Sequence, residues 1–409
     1  MRDSLKHWWV FGLLAIFLLA GLQAPMARAE APAVKEWNLP AFIFMSGPWA
    51  AFGLAGKFGM DTGVEELNAA GGIRGLPLKL TWYDTAYDTA KSVQQMSRAL
   101  DTNPLLTLGP QSDVAVGATM PMLAKEEVFC FSSVGVATTF RKYAPWGIGL
   151  FPSQFWANQP GAKYWVEAHP EIKSVVMFTN LLSASIQEQA NGIRYRLEKM
   201  GIKVLPDIEV PPDVVDFKGV ALKALATKAD GFVGILSPDQ AAKLTIELRK
   251  NGIKEGWRIW NYMGCNAPPL YEIGQHFMNN TYVNDYLDPE YPDPRWQALV
   301  KKYRQWTKDP KAIPLTPVPF MYITPFVVKQ AFEALEITGD PAKLKEERVK
   351  LRDYLLKIGQ IEGVQGKITL VPEMGGAMIN TFMFQIKDGK PGQAILTPPL
   401  PYEPEAEAQ

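Results

Sequence analysis

The 409-residue sequence has little histidine or cysteine, three and two residues, and no net charge. His169 and His276 are the only histidines after residue 29. Neither has another histidine or a cysteine three or four residues away, which argues against a zinc site. No GxSxG nucleophile elbow and no GxxxxGK[ST] phosphate loop occurs, and Gly363 to Lys367 has a Gly-Lys pair at the wrong spacing. Catalysis, metal and cofactor are therefore not expected. Cys130 and Cys265 each lie near the end of an apolar run. Two buried free thiols are expected rather than a disulfide, because cysteine is among the most often buried residue types. The 42 basic residues balance the 42 acidic ones. With no excess of either sign, nothing electrostatic points to nucleic acid or an anionic membrane.

Long apolar runs are also absent after the first 29 residues. Before that, Arg2 and Lys6 precede an apolar run from Trp8 to Leu22, and Ala27-Arg28-Ala29 offers small residues at a cleavage site. Residues 1–29 read as a cleaved secretory signal, with a retained anchor as the alternative; a permanent span needs about 20 apolar residues. A soluble, monomeric protein in a periplasm-like space is expected. The 380 or so residues that remain exceed what one core usually holds, so two lobes are expected.

What is present is a repeated strand-loop-helix rhythm. Leu105 to Leu108 runs into Gly109-Pro110, the polar Gln111-Ser112-Asp113 and then a helical pattern through Val114, Ala118 and Met122. Val128 to Phe131 then meets a second small-residue loop at Ser132 to Gly135. One helix between two strands favours a parallel pair, which puts both loops at one edge of the sheet. Open α/β sheets bind ligands at that edge. One wall of a binding site is therefore placed on Gln111 to Asp113 and Ser133, Val134 and Gly135. Two more repeats precede this stretch: strand Ala41 to Met45 with a helix through Leu54 and Leu67, and strand Leu78 to Tyr83, whose following helix Asp88 can cap. A break in composition at Gly147 to Pro152 precedes a second series. Its strands are Ser174 to Thr179, Ile202 to Val210, Gly231 to Leu236 and Trp257 to Tyr262. Helices are expected at Met321 to Leu335 and Leu344 to Ile358, then strands Lys367 to Val371 and Met378 to Ile386. Proline and acid in residues 397–409 predict a disordered tail.

Three segments resemble the extracytoplasmic solute-binding proteins of ABC importers, in the branch of the leucine/isoleucine/valine-binding protein. They are Ser46 to Gly53 (SGPWAAFG), Glu66 to Asp88 (ELNAAGGIRGLPLKLTWYDTAYD) and Gly109 to Ser133. The resemblance implies an α/β fold of the type I periplasmic binding protein kind, each lobe a mainly parallel sheet flanked by helices. Three interlobe crossings would fall near Leu150 to Ser153, Tyr282 to Asp285 and Ile361 to Gly366. Lobe 1 would be residues 30–152 plus 284–362, and lobe 2 residues 153–283 plus 363–396.

The resemblance also implies a small-molecule solute in the cleft and a membrane permease as partner. In amino-acid-binding members a serine and a threonine hold the solute carboxylate, and an acidic residue receives the ammonium. Those positions align here with Asp113 (Ser112 precedes it), Val136 and Met263, so an ordinary α-amino acid is not the expected solute. Trp49 and Phe52 keep an aromatic wall, and Ser185 and Ser237 align with second-lobe tyrosine positions. The expected solute is a small aromatic or polar/apolar compound stacked on Trp49, with Ser112, Asp113, Ser133 and the Gly135 N–H as polar contacts. Asp113 has two open roles, ligand contact or helix cap. A ligand-sensing domain presenting its closed form to a receptor is the alternative reading; an α/β enzyme would need a titratable cluster that these residues do not supply.

Overall fold

The computed structural model describes residues 30–47, 49–180, 184–211, 213–404 and 406. The expected signal peptide, residues 1–29, lies outside them. Short apolar runs at the first-lobe positions form five parallel strands: β1 (Trp37–Ile43), β2 (Leu78–Asp84), β3 (Leu106–Leu108), β4 (Phe129–Ser132) and β5 (Gly147–Gly149). Their order is β2-β1-β3-β4-β5. β3 and β4 are buried at every residue, as expected of parallel strands covered on both faces. The break at Gly147 to Pro152 thus contains a fifth strand before the crossing.

The second sheet is built from β6 (Ser174–Thr179), β7 (Lys203–Val204), β8 (Ile208–Glu209), β9 (Gly231–Ile235), β10 (Ile259–Asn261) and β11 (Tyr282–Asp285), all parallel to their neighbours. The strand expected over Ile202 to Val210 is two short pieces, β7 and β8. Pro206 between them has no N–H for the ladder. Two antiparallel strands, β15 (Thr381–Lys387) and β16 (Lys390–Thr397), extend this sheet beyond β11. A turn from Lys387 to Lys390 joins them.

The third crossing differs from expectation. β12 (Gln360–Gly363), β13 (Gly366–Val371) and β14 (Gly376–Ile379) form a separate small sheet. Their inward residues Ile361, Ile368, Leu370 and Ile379 share the core of the first lobe, whereas Phe382 and Phe384 of β15 belong to the core of the second. The change of lobe falls at Asn380 rather than within Ile361 to Gly366. A strand pairing within its own small sheet looks the same in sequence as one pairing with a lobe.

Helix Ala50–Ala69 lies against helix Pro317–Ala334, and two glycines set the distance. A Cβ at Gly59 would come 2.4 Å from the Val318 carbonyl, and one at Gly63 would come 2.3 Å from that of Tyr322. This fixes the helix that starts after Trp49. Among the described residues, no helix is long and apolar enough to cross a membrane.

The tail expected to be disordered makes specific contacts up to Ala406. Glu403 pairs with Lys199 and Arg196 and accepts a hydrogen bond from the Tyr195 hydroxyl. Tyr402 packs on Trp156, and Ala406 is buried beside Trp156, Met374 and Met378. Composition concealed this because the partners lie far away in sequence.

Candidate functional site

The carboxyl ends of both parallel sheets carry the residues of interest. In the first lobe, Asp84 at the end of β2 organises two loops. Its Oδ1 accepts from the backbone N–H of Met45 (2.8 Å) and Ala86 (3.0 Å), and its Oδ2 from Ser46 Oγ and Lys91 Nζ (both 2.6 Å). Partial burial would raise this carboxyl, yet the Lys91 ammonium and the other donors hold it well below the usual carboxylate range. The loop before helix Ala50–Ala69 and the turn after β2 are therefore tied together.

That turn places Ala86 and Tyr87 in succession at positive φ, +50° and +59°. Such backbone is costly for non-glycine residues and concentrates at functional sites. It directs Tyr87 to donate a hydrogen bond to Asp113 Oδ1 at 2.7 Å, while its ring lies 6.2 Å from that of Trp49. Phe52 stands edge-on to Trp49 at 5.9 Å. Trp49 is 50% exposed and Phe52 37% exposed. The fold thus brings Trp49, Phe52 and Asp113 together, with Tyr87 as a link that the sequence reading missed. Its signal was an aromatic residue inside the Asp84 to Asp88 turn.

The capping role considered for Asp113 belongs instead to Ser112. Ser112 has extended backbone and its Oγ accepts from Ala115 N–H at 3.2 Å, whereas Asp113 is the first residue of helix Asp113–Lys125. Its Oδ1 also accepts the Val114 N–H at 2.9 Å. No basic side chain pairs with Asp113 among the described residues. Burial, and then the bond to this carboxylate, push the Tyr87 phenol up from its usual range.

Gln111 joins the two expected loops. Its Oε1 accepts from the Ser133 N–H and the Ser133 hydroxyl, each at 2.7 Å. Ser133 therefore keeps only acceptor capacity for a solute. Val134 donates its N–H to Ser132 Oγ at 3.2 Å. Gly135 lies hard against the first crossing, where a Cβ would come 2.1 Å from the Pro152 carbonyl.

In the second lobe, Ser237 precedes helix Pro238–Lys250 but donates its hydroxyl to Asp239 at 2.6 Å. Met263 is buried and packs with apolar residues of the first lobe's core; its N–H donates to Asn158 Oδ1 at 3.2 Å. Ser185 lies in helix Ala184–Lys199, with a side chain outside the described residues. Asp285, at the end of β11, is the carboxyl that sequence reading passed over. It accepts from Asn266 Nδ2 (2.6 Å) and from the N–H of Tyr286 (2.6 Å) and Leu287 (3.2 Å). It keeps a strip of accessible surface yet lies deep among protein atoms, and this burial pushes its pKa up to about 7 against those donors.

Four buried side-chain polar atoms have no hydrogen-bond partner among the described residues: Thr85 Oγ1, Gln111 Nε2, Thr179 Oγ1 and Asn261 Nδ2. Each leaves its strand at or just beyond the carboxyl end, of β2, β3, β6 and β10 respectively. A buried polar group left unpaired costs about 1–3 kcal/mol, so such groups mark places built for something else. Elsewhere, a cavity of about 440 Å³ lies between helices Ala137–Lys142 and Ala184–Lys199, lined by Thr138, Arg141, Ser153, Asn191, Tyr195 and Ala406 among others. It contains none of the expected ligand residues. Cys130 and Cys265 are buried and unpaired, with thiols pushed up to about 12 by burial. Among the described residues, no group of His, Cys, Asp and Glu is arranged to hold a metal.

Two α/β units, each built on parallel strands flanked by helices, have the fold of a binding protein of the type I periplasmic kind. Residues 36–391 match the profile of the periplasmic binding protein family, and the chain belongs to that family. None of the curated protein sequences matches. Among solved structures, the chain is similar to the leucine-binding protein LivK of Thermotoga maritima, at 18% identity and TM-score 0.70 over 89% of this chain and 99% of that one. It is similar to LivJ of Streptococcus pneumoniae in complex with isoleucine, at 20% identity and TM-score 0.69 over 89% and 100%. A solute-binding protein of R. palustris in complex with benzoate has 16% identity and TM-score 0.67 over 89% and 97%.

Proposed function

We propose that this protein captures a small molecule at the facing strand ends of its two lobes and delivers it to the membrane permease of an ABC importer. It does so as a periplasmic monomer without a cofactor. The observation that carries this reading is the placement of all four unpaired buried polar atoms at carboxyl ends of parallel strands, in both lobes. Solute sites are mostly apolar with a few convergent polar groups, and these positions supply that design.

The solute is a small aromatic or polar/apolar compound rather than an ordinary α-amino acid. Met263 replaces the acidic side chain that the resemblance leads one to expect. Trp49, with Phe52 beside it, offers the stacking surface, and Ser112, Ser133 and the Gly135 N–H offer polar contacts. Val134, Ser185, Ser237 and Met263 complete the proposed lining. The relatives with solved complexes hold isoleucine in one case and benzoate in another, so the fold accommodates both classes.

A thermal-shift screen of residues 30–409 against amino acids, aromatic carboxylates, short amides and polyols tests the reading. A solute at 100 times its Kd adds roughly 2.7 kcal/mol to stability, enough to raise Tm by a few degrees. A shift with aromatic or neutral solutes but not with leucine is the expected result. A strong shift with leucine or valine would restore ordinary amino-acid binding and remove the proposed solute class.

A further inference from the structure

We propose that the first-lobe wall is a seat for a cationic group, with Trp49, Phe52 and Tyr87 presenting their rings and Asp113 the balancing carboxylate. The inference rests on the solute-capture reading and names the chemistry of one end of the solute, a quaternary or alkylated ammonium.

Three independent features converge on this wall. The first is the aromatic cluster itself: Trp49 lies 5.9 Å from Phe52 and 6.2 Å from Tyr87, ring centre to ring centre, and none of these pairs is parallel-stacked. Rings set at angles, with Trp49 and Phe52 exposed and Tyr87 half-buried, suit a cation, whose attraction to the ring quadrupole is strongest for tryptophan. The second is the carboxylate. Asp113 has no basic partner, and its Oδ2 accepts no hydrogen bond among the described residues, since Tyr87 and Val114 both bond Oδ1. The nearby ammonium, Lys91, is already engaged by Asp84. A carboxylate at this place repels a carboxylate solute and attracts an ammonium.

The third feature is the set of local rules broken to build the wall. Trp49 occupies the N-cap position of helix Ala50–Ala69 with no capping hydrogen bond, where Ser, Thr, Asp or Asn are favoured. Ala86 and Tyr87 sit in left-handed backbone to aim the phenol at Asp113. Departures from local preference collect at functional sites. All three converge on one spot.

Tyr87 acts as a positioning residue for the carboxylate as well as a ring. By donating to Oδ1 it fixes the Asp113 rotamer and leaves Oδ2 for the ligand.

The test is equilibrium titration of the full mature chain, followed by tryptophan fluorescence and calorimetry. The probes are tetramethylammonium, choline, the neutral choline isostere 3,3-dimethylbutan-1-ol, leucine and benzoate. Choline or tetramethylammonium is expected to bind more tightly than the neutral isostere. Asp113→Asn should weaken cation binding roughly tenfold or more while leaving the neutral alcohol unchanged, and Trp49→Ala should weaken both. Tyr87→Phe keeps the ring but frees the carboxylate, and should weaken cation binding by a smaller factor. Because Asp113→Asn retains an oxygen for Tyr87 and Val114, it is expected to fold; Trp49→Ala at an exposed position gives a second arm.

Equal cation affinity in wild type and Asp113→Asn overturns the proposal. Binding of leucine or benzoate with none of either cation also overturns it, but leaves the solute-capture function standing. No binding by any of the five probes overturns the cation seat and removes the support for solute capture from these classes as well.

Discussion

Among the described residues, no cation offsets the burial of the Asp285 carboxyl. The groups that interact with it, the Asn266 amide, the Tyr286 and Leu287 backbone N–H and the Tyr271 and Tyr286 phenols, are neutral at pH 7. A carboxyl whose folded pKa is raised from 3.8 to about 7 holds its proton in the native state while the unfolded chain has lost it. Between those values the native state binds more protons, so its contribution to stability falls as pH rises, and levels off above about 7. The Tm of wild type minus that of Asp285→Asn should therefore become more negative from pH 5 to pH 8. A flat difference would mean that the carboxyl is solvated. Gly135 gives a second prediction at this scale. A Cβ there meets the Pro152 carbonyl at 2.1 Å, and backbone cannot move aside cheaply. Gly135→Ala should cost about 1–3 kcal/mol by chemical denaturation.

Helix Ala50–Ala69 shows how far sequence reading reaches at the level of elements. Its existence follows from the apolar spacing through Leu54 and Leu67. So do β6 and the helix Leu344–Lys357, whose expected bounds lie within a residue of those found. What sequence does not carry is partnership. Gly59 and Gly63 look like weak helix positions until Val318 and Tyr322 are seen against them. Their value is close approach, so Gly63→Ala should lower Tm by several degrees although alanine has the higher helix propensity. An unchanged Tm would mean that the two helices can separate. Of the candidate site residues, Ser112, Asp113 and Ser133 were placed by loops that follow apolar runs, and Trp49 and Phe52 by the family resemblance. Tyr87 and Asp285 were not. Their roles come from hydrogen bonds across 26 and 19 residues of chain respectively, which no local pattern encodes.

At the scale of the molecule, the crossings are fastened more firmly than chain connectivity requires. Pro152 bridges to Ala377, so the first crossing and β14 move together. Asn158 ties the segment after that crossing to the second lobe, donating to Gln189 at 2.8 Å and accepting from Met263 N–H and from Asn284 at 3.1 Å. Over this lies the tail, with Ala406 and Tyr402 on Trp156 and Glu403 on helix Ala184–Lys199. Trp156 and Met378 are thus covered by residues that arrive last in the chain. Any solute that closes the lobes must prefer the closed state, and the stiffness of this joint sets how much of that preference goes into bending it. Deleting residues 398–409 removes the apolar cover and the Glu403 ion pairs together. The truncated chain should lose about 1–3 kcal/mol of stability, from exposure of Trp156 and its neighbours. Spin labels at Lys57 in the first lobe and Lys254 in the second should report a broader distribution of interlobe distances. Loss of stability with an unchanged distribution would make the tail a cover for the core alone. A broadened distribution in the folded variant would show that the carboxyl-terminal segment restrains movement of one lobe against the other.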